Sequence, residues 1–234
     1  MTLETMAEIQ YFEYGEVETS WLKSRDPVLG AVIDRIGHLH RPVTPDLFTA
    51  LVNSIVGQQI SAKALVTVWS RMEERFGPIT PDNMYSTSED DLQRCGMTMR
   101  KATYIREVAG AVARGDLKLE NLNAMSDNEV CRCLCQIKGV GVWTAEMLMT
   151  FSMQRPNIMS IDDLAILRGL RMLYGHKKIT PTLFMKYKRR YSPYATVASL
   201  YLWAVAGGAC ADLEDPAQRK SATKKKESSR TPKR

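Results

Sequence analysis

Apolar residues recur three and four positions apart through most of this 234-residue chain, the spacing that lines one face of a helix. No stretch alternates apolar with polar as a half-buried strand does, so the pattern predicts an all-α fold. Asp26-Pro27 opens a helix that runs to about Ile36. Thr44-Pro45-Asp46 offers a cap, a first-turn proline and a first-turn acid to the next, whose stripe is Leu47, Phe48, Leu51, Val52, Ile55 and Val56. Gly57-Gln58-Gln59-Ile60-Ser61 interrupts it, and a further helix reaches about Phe76. Ser86 to Leu92 reads as a short helix ending near Cys95-Gly96. Thr98 caps a longer one with Ile105, Val108, Ala109 and Val112 on one face, closed by Gly115. Arg100 and Lys101 fall in its first turn, against the helix dipole, a conflict that a phosphate or solvent would relieve. Ser160, Asp162 and Asp163 each qualify as N-cap of the helix carrying Ile166, Leu170 and Leu173. Thr180-Pro181 starts another helix, with Lys186, Lys188, Arg189 and Arg190. The last, about Thr196 to Ala206, is apolar almost all round and predicted to be buried; it contains Trp203.

One stretch breaks the rhythm. A helix beginning after Ser126 reaches Leu134 and Ile137, meets Gly139 and Gly141, and restarts as the apolar run Ala145 to Phe151. This predicts helix, tight hairpin, helix. The two glycines permit backbone conformations closed to other residues and let a ligand approach the main chain. Amides at the start of the second helix would then favour an anion such as phosphate. A plain helix-helix turn fits the glycines equally well.

Composition fits a soluble globular protein, with 44% hydrophobic and 25% charged residues. The formal charge of +6 is concentrated in the tail: Pro216 to Arg234 holds eight Lys or Arg and one Glu, so the remainder is close to neutral. A DNA partner therefore has to be argued from local geometry, not from the pI near 9.1. Met1 to Gln10 is acidic and lacks the apolar segment of a secretory leader. The longest apolar run, Leu200 to Ala211, falls short of the ~18 residues of a membrane span. Cys131, Cys133 and Cys135 are two apart and face different sides of a helix, so reduced thiols are expected rather than a metal site. His38 and His40 lack a third ligand and read as a surface loop. The expected location is cytoplasmic, with the nucleoid, or nuclear in a eukaryote.

The hairpin Leu134-x-x-Ile137-Lys138-Gly139-Val140-Gly141-x-Trp143-Thr144-Ala145, with Asp163-Leu164 twenty residues after Trp143, resembles that of the helix-hairpin-helix DNA glycosylase superfamily. Within it, the 3-methyladenine DNA glycosylase II branch is most similar. Ser54 to Ser61 with Gln58-Gln59, the Gly96-to-Ile105 segment with Arg100-Lys101-Ala102, and Val197 through Trp203 match in order, over about residues 27 to 207. The resemblance implies a bilobal helical fold with its cleft between the lobes, and a role in base excision repair on double-stranded DNA containing a damaged base. The division expected along the chain is residues 1–26 packing on the core with the rings of Tyr11, Phe12 and Tyr14, a helical lobe 27–118, a hairpin lobe 119–211, and a basic disordered tail 212–234. A monomer is expected.

Cleaving an N-glycosidic bond builds positive charge on the sugar, which a nearby carboxylate stabilises. By resemblance that carboxylate is Asp163, with Asp162 a cap or surface neighbour. Strand-nicking relatives carry a lysine where this chain has Trp143, which has no amine to attack with. The resemblance thus implies a monofunctional glycosylase that flips out and excises alkylated purines of the 3-methyladenine and 7-methylguanine type. It places Gln59, beside Gln58, in the gap left by the flipped base, and the amides of Gly139, Gly141 and Trp143 on a phosphate. By the same resemblance, Trp203, Met147 and Trp143 are expected to line the base pocket. The carbonyls of Cys135, Ile137 and Val140 match positions that bind a structural sodium or potassium ion. Cys210 alone stands where iron-sulfur members have four cysteines, so no cluster is expected. Ala195 departs from an arginine common among relatives, and Met147 from an aromatic residue. Two alternatives remain on this evidence of residues alone: a glycosylase for oxidised, deaminated or mismatched bases, and a non-catalytic helix-hairpin-helix DNA-binding module.

Overall fold

The structure is a computed structural model that describes residues 9–218. These form twelve α-helices: α1 Glu16–Arg25, α2 Pro27–Ile36, α3 Leu47–Gly57, α4 Ala62–Phe76, α5 Pro81–Ser86, α6 Glu89–Arg94, α7 Met99–Ala113, α8 Asp127–Leu134, α9 Val142–Phe151, α10 Leu164–Tyr174, α11 Pro181–Tyr191 and α12 Ala195–Ala206. A 3-10 turn covers Leu119–Ala124. Extended pairing among the described residues is limited to one bridge between Tyr11 and Pro42. The fold is all-α, as the hydrophobic pattern predicts.

The described residues divide into two compact units, residues 9–13 with 40–158, and residues 14–39 with 159–218. This differs from the expected contiguous split near residue 118. α8 and α9 bury Val130, Leu134, Ala145 and Leu148 in the same core as Phe48, Leu51 and Ile55 of α3, Met72 of α4, and Ile105 and Ala109 of α7. The hairpin therefore belongs with the Gln58-Gln59 turn. The described part of the expected N-terminal segment, residues 9–26, is likewise divided. Phe12 is buried and its amide donates to the Arg41 carbonyl at 2.8 Å in the first unit, whereas Tyr14 stacks on His38 at 4.3 Å and meets the Tyr201 hydroxyl at 3.2 Å in the second.

In the second unit, Asp26 organises three helices. Its Oδ1 accepts the Val28 and Leu29 amides at 3.1 Å as the N-cap of α2, and its Oδ2 accepts Tyr174 Oη at 2.8 Å and Arg190 Nη1 at 2.6 Å. α10 and α12 cross closely at Gly169, where a Cβ would lie 2.4 Å from the Leu202 carbonyl oxygen. A small apolar cluster joins Val32 of α2, Met172 of α10, Val205 of α12 and Cys210, just beyond α12. α12 is buried along most of its length, as its apolar pattern predicts.

Several local expectations shift. The cap of α3 is Asp46, whose carboxylate accepts the Thr49 amide at 2.7 Å. Thr44 stands two residues ahead of that cap, so Thr44 and Pro45 precede the helix instead of opening it; the Thr44 amide is held by the Phe151 carbonyl and its carbonyl by Ser152 Oγ. α1 was not anticipated: Leu22 is its one buried residue, so it has no stripe to read. Residues 80–95 form two short helices instead of one, capped by Thr80 and Ser88. The stretch 212–218 is not part of a free tail: buried Asp215 pairs with Arg171 at 2.6 Å, and Asp212 with Arg35. The remainder of the expected tail, 219–234, lies outside the described residues. No helix among the described residues is long and apolar enough to cross a membrane.

Candidate active site

The hairpin is built by a capping box and a glycine. Ser126 and Glu129 bond reciprocally at the start of α8. The chain then turns through Cys135 to Val140, where the Val140 amide donates to the Ile137 carbonyl at 3.0 Å. Gly139 has φ +85, and a Cβ there would lie 2.4 Å from the Tyr104 ring, so both backbone and space exclude a side chain. Gly141 is different. It is the N-cap of α9 with extended φ −91 and ψ 173, a conformation open to any residue, and a Cβ would meet nothing within 4 Å. The expectation that both glycines are needed for backbone freedom thus holds for Gly139 alone. What Gly141 leaves is open space over the first turn of α9, which no side chain caps. Trp143 is exposed in that turn, and Met147, four residues on, is half-buried on the same side of α9.

The glutamine turn is tied to this hairpin. Gln58 Nε2 donates to the Gly139 carbonyl at 2.7 Å. Gln59 is exposed with φ +57, a left-handed conformation that costs a non-glycine residue energy. The turn is held from below by Lys101, whose Nζ donates to the carbonyls of Val56 at 2.8 Å and Gln58 at 2.6 Å. Burial of that ammonium lowers its pKa, with the neighbouring Arg100 adding to the shift. The sequence-level conflict of Lys101 with the dipole of α7 is therefore resolved by the carboxyl-terminal end of α3, where a cation is favourable, and not by phosphate.

In the second unit, Asp163 is the N-cap of α10 and is buried. Its Oδ1 accepts the Ala165 and Ile166 amides at 2.9 Å each and Trp203 Nε1 at 3.1 Å. Capping thus falls to Asp163. Asp162 is exposed, and Ser160 is fully buried without acting as a cap. Trp203 is half-buried, so it is not the pure packing residue that an apolar helix suggests. Just upstream, Lys188 Nζ donates to the Met159 carbonyl at 3.1 Å and steadies the approach to the cap. Ala195 is wholly buried.

The structure thus brings Asp163 together with Trp203, and separately brings Gln58, Gln59, Gly139, Gly141, Trp143, Met147 and the carbonyls of Cys135, Ile137 and Val140 onto one unit. Sequence reasoning missed the bracing roles of Lys101 and Lys188, and Gly169 altogether. Of these, Gly169 left a signal: a glycine inside an apolar helix marks a close approach.

Comparisons with known proteins place the chain carrying this fixed carboxylate and braced glycine hairpin in a family. The family model for the HhH-GPD superfamily of base excision DNA repair proteins matches residues 52–193. DNA-3-methyladenine glycosylase 1 of Schizosaccharomyces pombe is 31% identical over 67% of this chain and 71% of its own length. A DNA-3-methyladenine glycosylase of Bacillus subtilis is 26% identical over 77% of this chain and 64% of its own. Among solved structures, a DNA-3-methyladenine glycosidase from Bacillus halodurans is 35% identical, with a TM-score of 0.78 over 88% of this chain and 96% of that one. The S. pombe 3-methyladenine DNA glycosylase in complex with abasic DNA superposes with a TM-score of 0.72 at 26% identity, covering 82% and 97% of the two chains. With more than half its length inside the matched model and these relatives on either side, the chain belongs to the HhH-GPD superfamily of base excision DNA repair proteins.

Proposed function

We propose that this protein is a monofunctional DNA glycosylase that hydrolyses the N-glycosidic bond of alkylated purines in duplex DNA and leaves an abasic site. The observation that carries the reading is Asp163: a buried carboxylate whose Oδ1 is fixed by two backbone amides and the Trp203 indole. A carboxylate so held is preorganised, so little reorganisation is needed when charge develops beside it. The names borne by the relatives, DNA-3-methyladenine glycosylase and glycosidase, support the alkylpurine class.

In this mechanism the damaged nucleotide leaves the stack, because its glycosidic bond is inaccessible inside a duplex. Gln59, exposed at the tip of a turn braced by Gln58 and Lys101, enters the gap. The open amino-terminal turn of α9 holds a backbone phosphate. An N3- or N7-alkylated purine is cationic, and stacking on the face of Trp203 favours it by ~0.5–2 kcal/mol. The bond from the sugar carbon to the purine nitrogen breaks, its electron pair neutralises the departing base, and positive charge moves to the sugar. The Asp163 carboxylate stabilises that charge while water adds to the same carbon and releases a proton. Trp143, in place of the lysine of strand-nicking relatives, offers no amine for a covalent intermediate.

The carbonyls of Cys135, Ile137 and Val140 are the groups that would hold a monovalent cation. The carbonyl of Ile137 already accepts the Val140 amide at 3.0 Å and has a second lone pair to offer. A bound cation would add positive charge near the phosphate.

The test is excision by purified protein from duplexes each bearing one lesion, 3-methyladenine, 7-methylguanine, hypoxanthine, 8-oxoguanine or a mismatch, followed by separate alkali treatment. Release of alkylated bases, with strand cleavage only after alkali, is the expected result. Cleavage without alkali, or borohydride trapping of the protein on DNA, defeats the monofunctional assignment. Excision confined to 8-oxoguanine, hypoxanthine or mismatches defeats the alkylpurine one.

A further inference from the structure

Charge is distributed unevenly along the second unit. From Leu164 to Ala211 the chain carries eight Lys or Arg and no Asp or Glu. Four of the eight have internal duties. Arg171 pairs with Asp215 and Arg190 with Asp26, both at 2.6 Å. Lys188 donates to the Met159 carbonyl, and Arg168 lies close enough to Asp215 to help lower its pKa.

The other four, Lys177, Lys178, Lys186 and Arg189, are exposed and enter no ion pair or side-chain hydrogen bond among the described residues. Lys177 and Lys178 lie on the connection from α10 into α11. Lys186 and Arg189 sit three residues apart on the exposed face of α11, beside Thr182 and Met185. Lys186 and Arg189 are ~4.5 Å apart along the helix axis, and Lys177 and Lys178 stand on the connection that enters the same helix, so the exposed cations gather on α11 and its entry. The dipole of α11 accounts for a cation in its last turn, where Arg189 stands. It does not account for Lys177, Lys178 and Lys186. Of the helices packed against α11, α12 carries no charged residue, and the acids of α1 stand in its own first turn, where Glu18 is bonded to the Gly15 amide. Four unneutralised cations close together repel one another, and a polyanion is the partner that removes the repulsion.

We propose that Lys177, Lys178, Lys186 and Arg189 form a second contact surface for the phosphate backbone of duplex DNA, apart from the hairpin. Lys188 links this helix to the segment that precedes Asp163, so a strand held by α11 is held on the unit that carries the carboxylate. These contacts carry no base information; they set affinity and its salt dependence, as backbone contacts do. The proposal rests on DNA being the substrate, but its test does not require excision.

The experiment measures binding of the full chain to an undamaged duplex of about 20 base pairs across a salt series. It compares the natural protein with Lys177→Gln/Lys178→Gln/Lys186→Gln/Arg189→Gln and, as a control for net charge, with Lys63→Gln/Lys118→Gln, which removes exposed cations of the first unit. The fourfold variant is expected to flatten the slope of log affinity against log salt by about 2–4, at ~0.9 per phosphate contact, while single-turnover excision at saturating protein is unchanged. The control is expected to keep the natural slope. A fourfold variant with the natural slope overturns the proposal, as does a control that loses as much per charge removed. If no lesion is excised but the slopes behave as stated, the glycosylase assignment fails and this surface stands.

Discussion

Trp203 donates its indole N–H to Oδ1 of Asp163 at 3.1 Å, the same oxygen that caps α10 through the Ala165 and Ile166 amides. One atom therefore serves the helix and aims the carboxylate. Asp163→Asn keeps a good cap and an acceptor for the indole, so its melting temperature and DNA affinity should stay near those of the natural protein. Its single-turnover rate should fall on the order of 10²–10³-fold or more, from loss of one electrostatic stabiliser. Trp203→Phe retains a ring but not the donor. A hydrogen bond to a charged group is worth ~1.5–3 kcal/mol, so a rate loss of about 10- to 100-fold is expected. Full activity in Asp163→Asn would remove this carboxylate from the mechanism.

Gly169 sets the approach that makes the pair. A Cβ at this position would lie 2.4 Å from the Leu202 carbonyl oxygen, and backbone cannot move aside as a flexible side chain can. Gly169→Ala should push α10 from α12, lowering stability by about 1–3 kcal/mol and excision by more than the residual folded fraction explains. Denaturant melts run beside single-turnover assays on the folded protein separate the two effects. Equal losses in both would mean that Gly169 acts through stability alone.

The hairpin glycines should behave in opposite ways. Gly139→Ala places a methyl against Tyr104 at φ +85 and should destabilise by roughly 1–3 kcal/mol. Gly141→Ala meets open space and should leave the melting temperature within a degree or two. Its methyl intrudes on the approach to the α9 amides, so DNA affinity should drop about tenfold. Unaltered affinity in Gly141→Ala would place the phosphate elsewhere.

Asp215 supplies a pH test. The Arg171 guanidinium, bonded at 2.9 and 2.6 Å, holds this buried carboxyl below the usual carboxylate range, and the Ala217 amide assists. A depressed folded pKa contributes stability that is fully present above the unfolded value, near ~3.9, and is lost as pH falls through the folded value. Asp215→Asn should cost about 2 kcal/mol at neutral pH. The gap from the natural protein should hold from about pH 5 to 8 and shrink below about pH 4. A gap independent of pH down to the acid limit would show that the pair contributes by packing alone.

Much of the site is legible in the residues because its chemistry is local. Thr98, Ser126 and Thr180 begin helices where their side chains predict, and Gly139 marks a turn that only glycine can make. Resemblance places Asp163, yet cap chemistry alone leaves the N-cap open among three neighbours, since Ser160, Asp162 and Asp163 are alike as caps until burial distinguishes them. Lys101 looked misplaced at the head of α7 because the carbonyls it satisfies belong to α3, more than forty residues away. α1 left no trace in the pattern because it buries a single side chain, Leu22.

By itself, the sequence determined that the chain is helical, where most helices start, and that a glycine hairpin is followed twenty residues later by an acid and then by a buried helix with a tryptophan. These are properties of side-chain periodicity and cap chemistry, which act over a few residues. Tertiary structure alone decided that the hairpin shares a core with the glutamine turn, that residues 14–39 join the carboxylate-bearing unit, and that Trp203 bonds to Asp163. Such pairings depend on which apolar faces meet and which buried polar atoms must find partners, and those conditions are set by elements far apart in the chain.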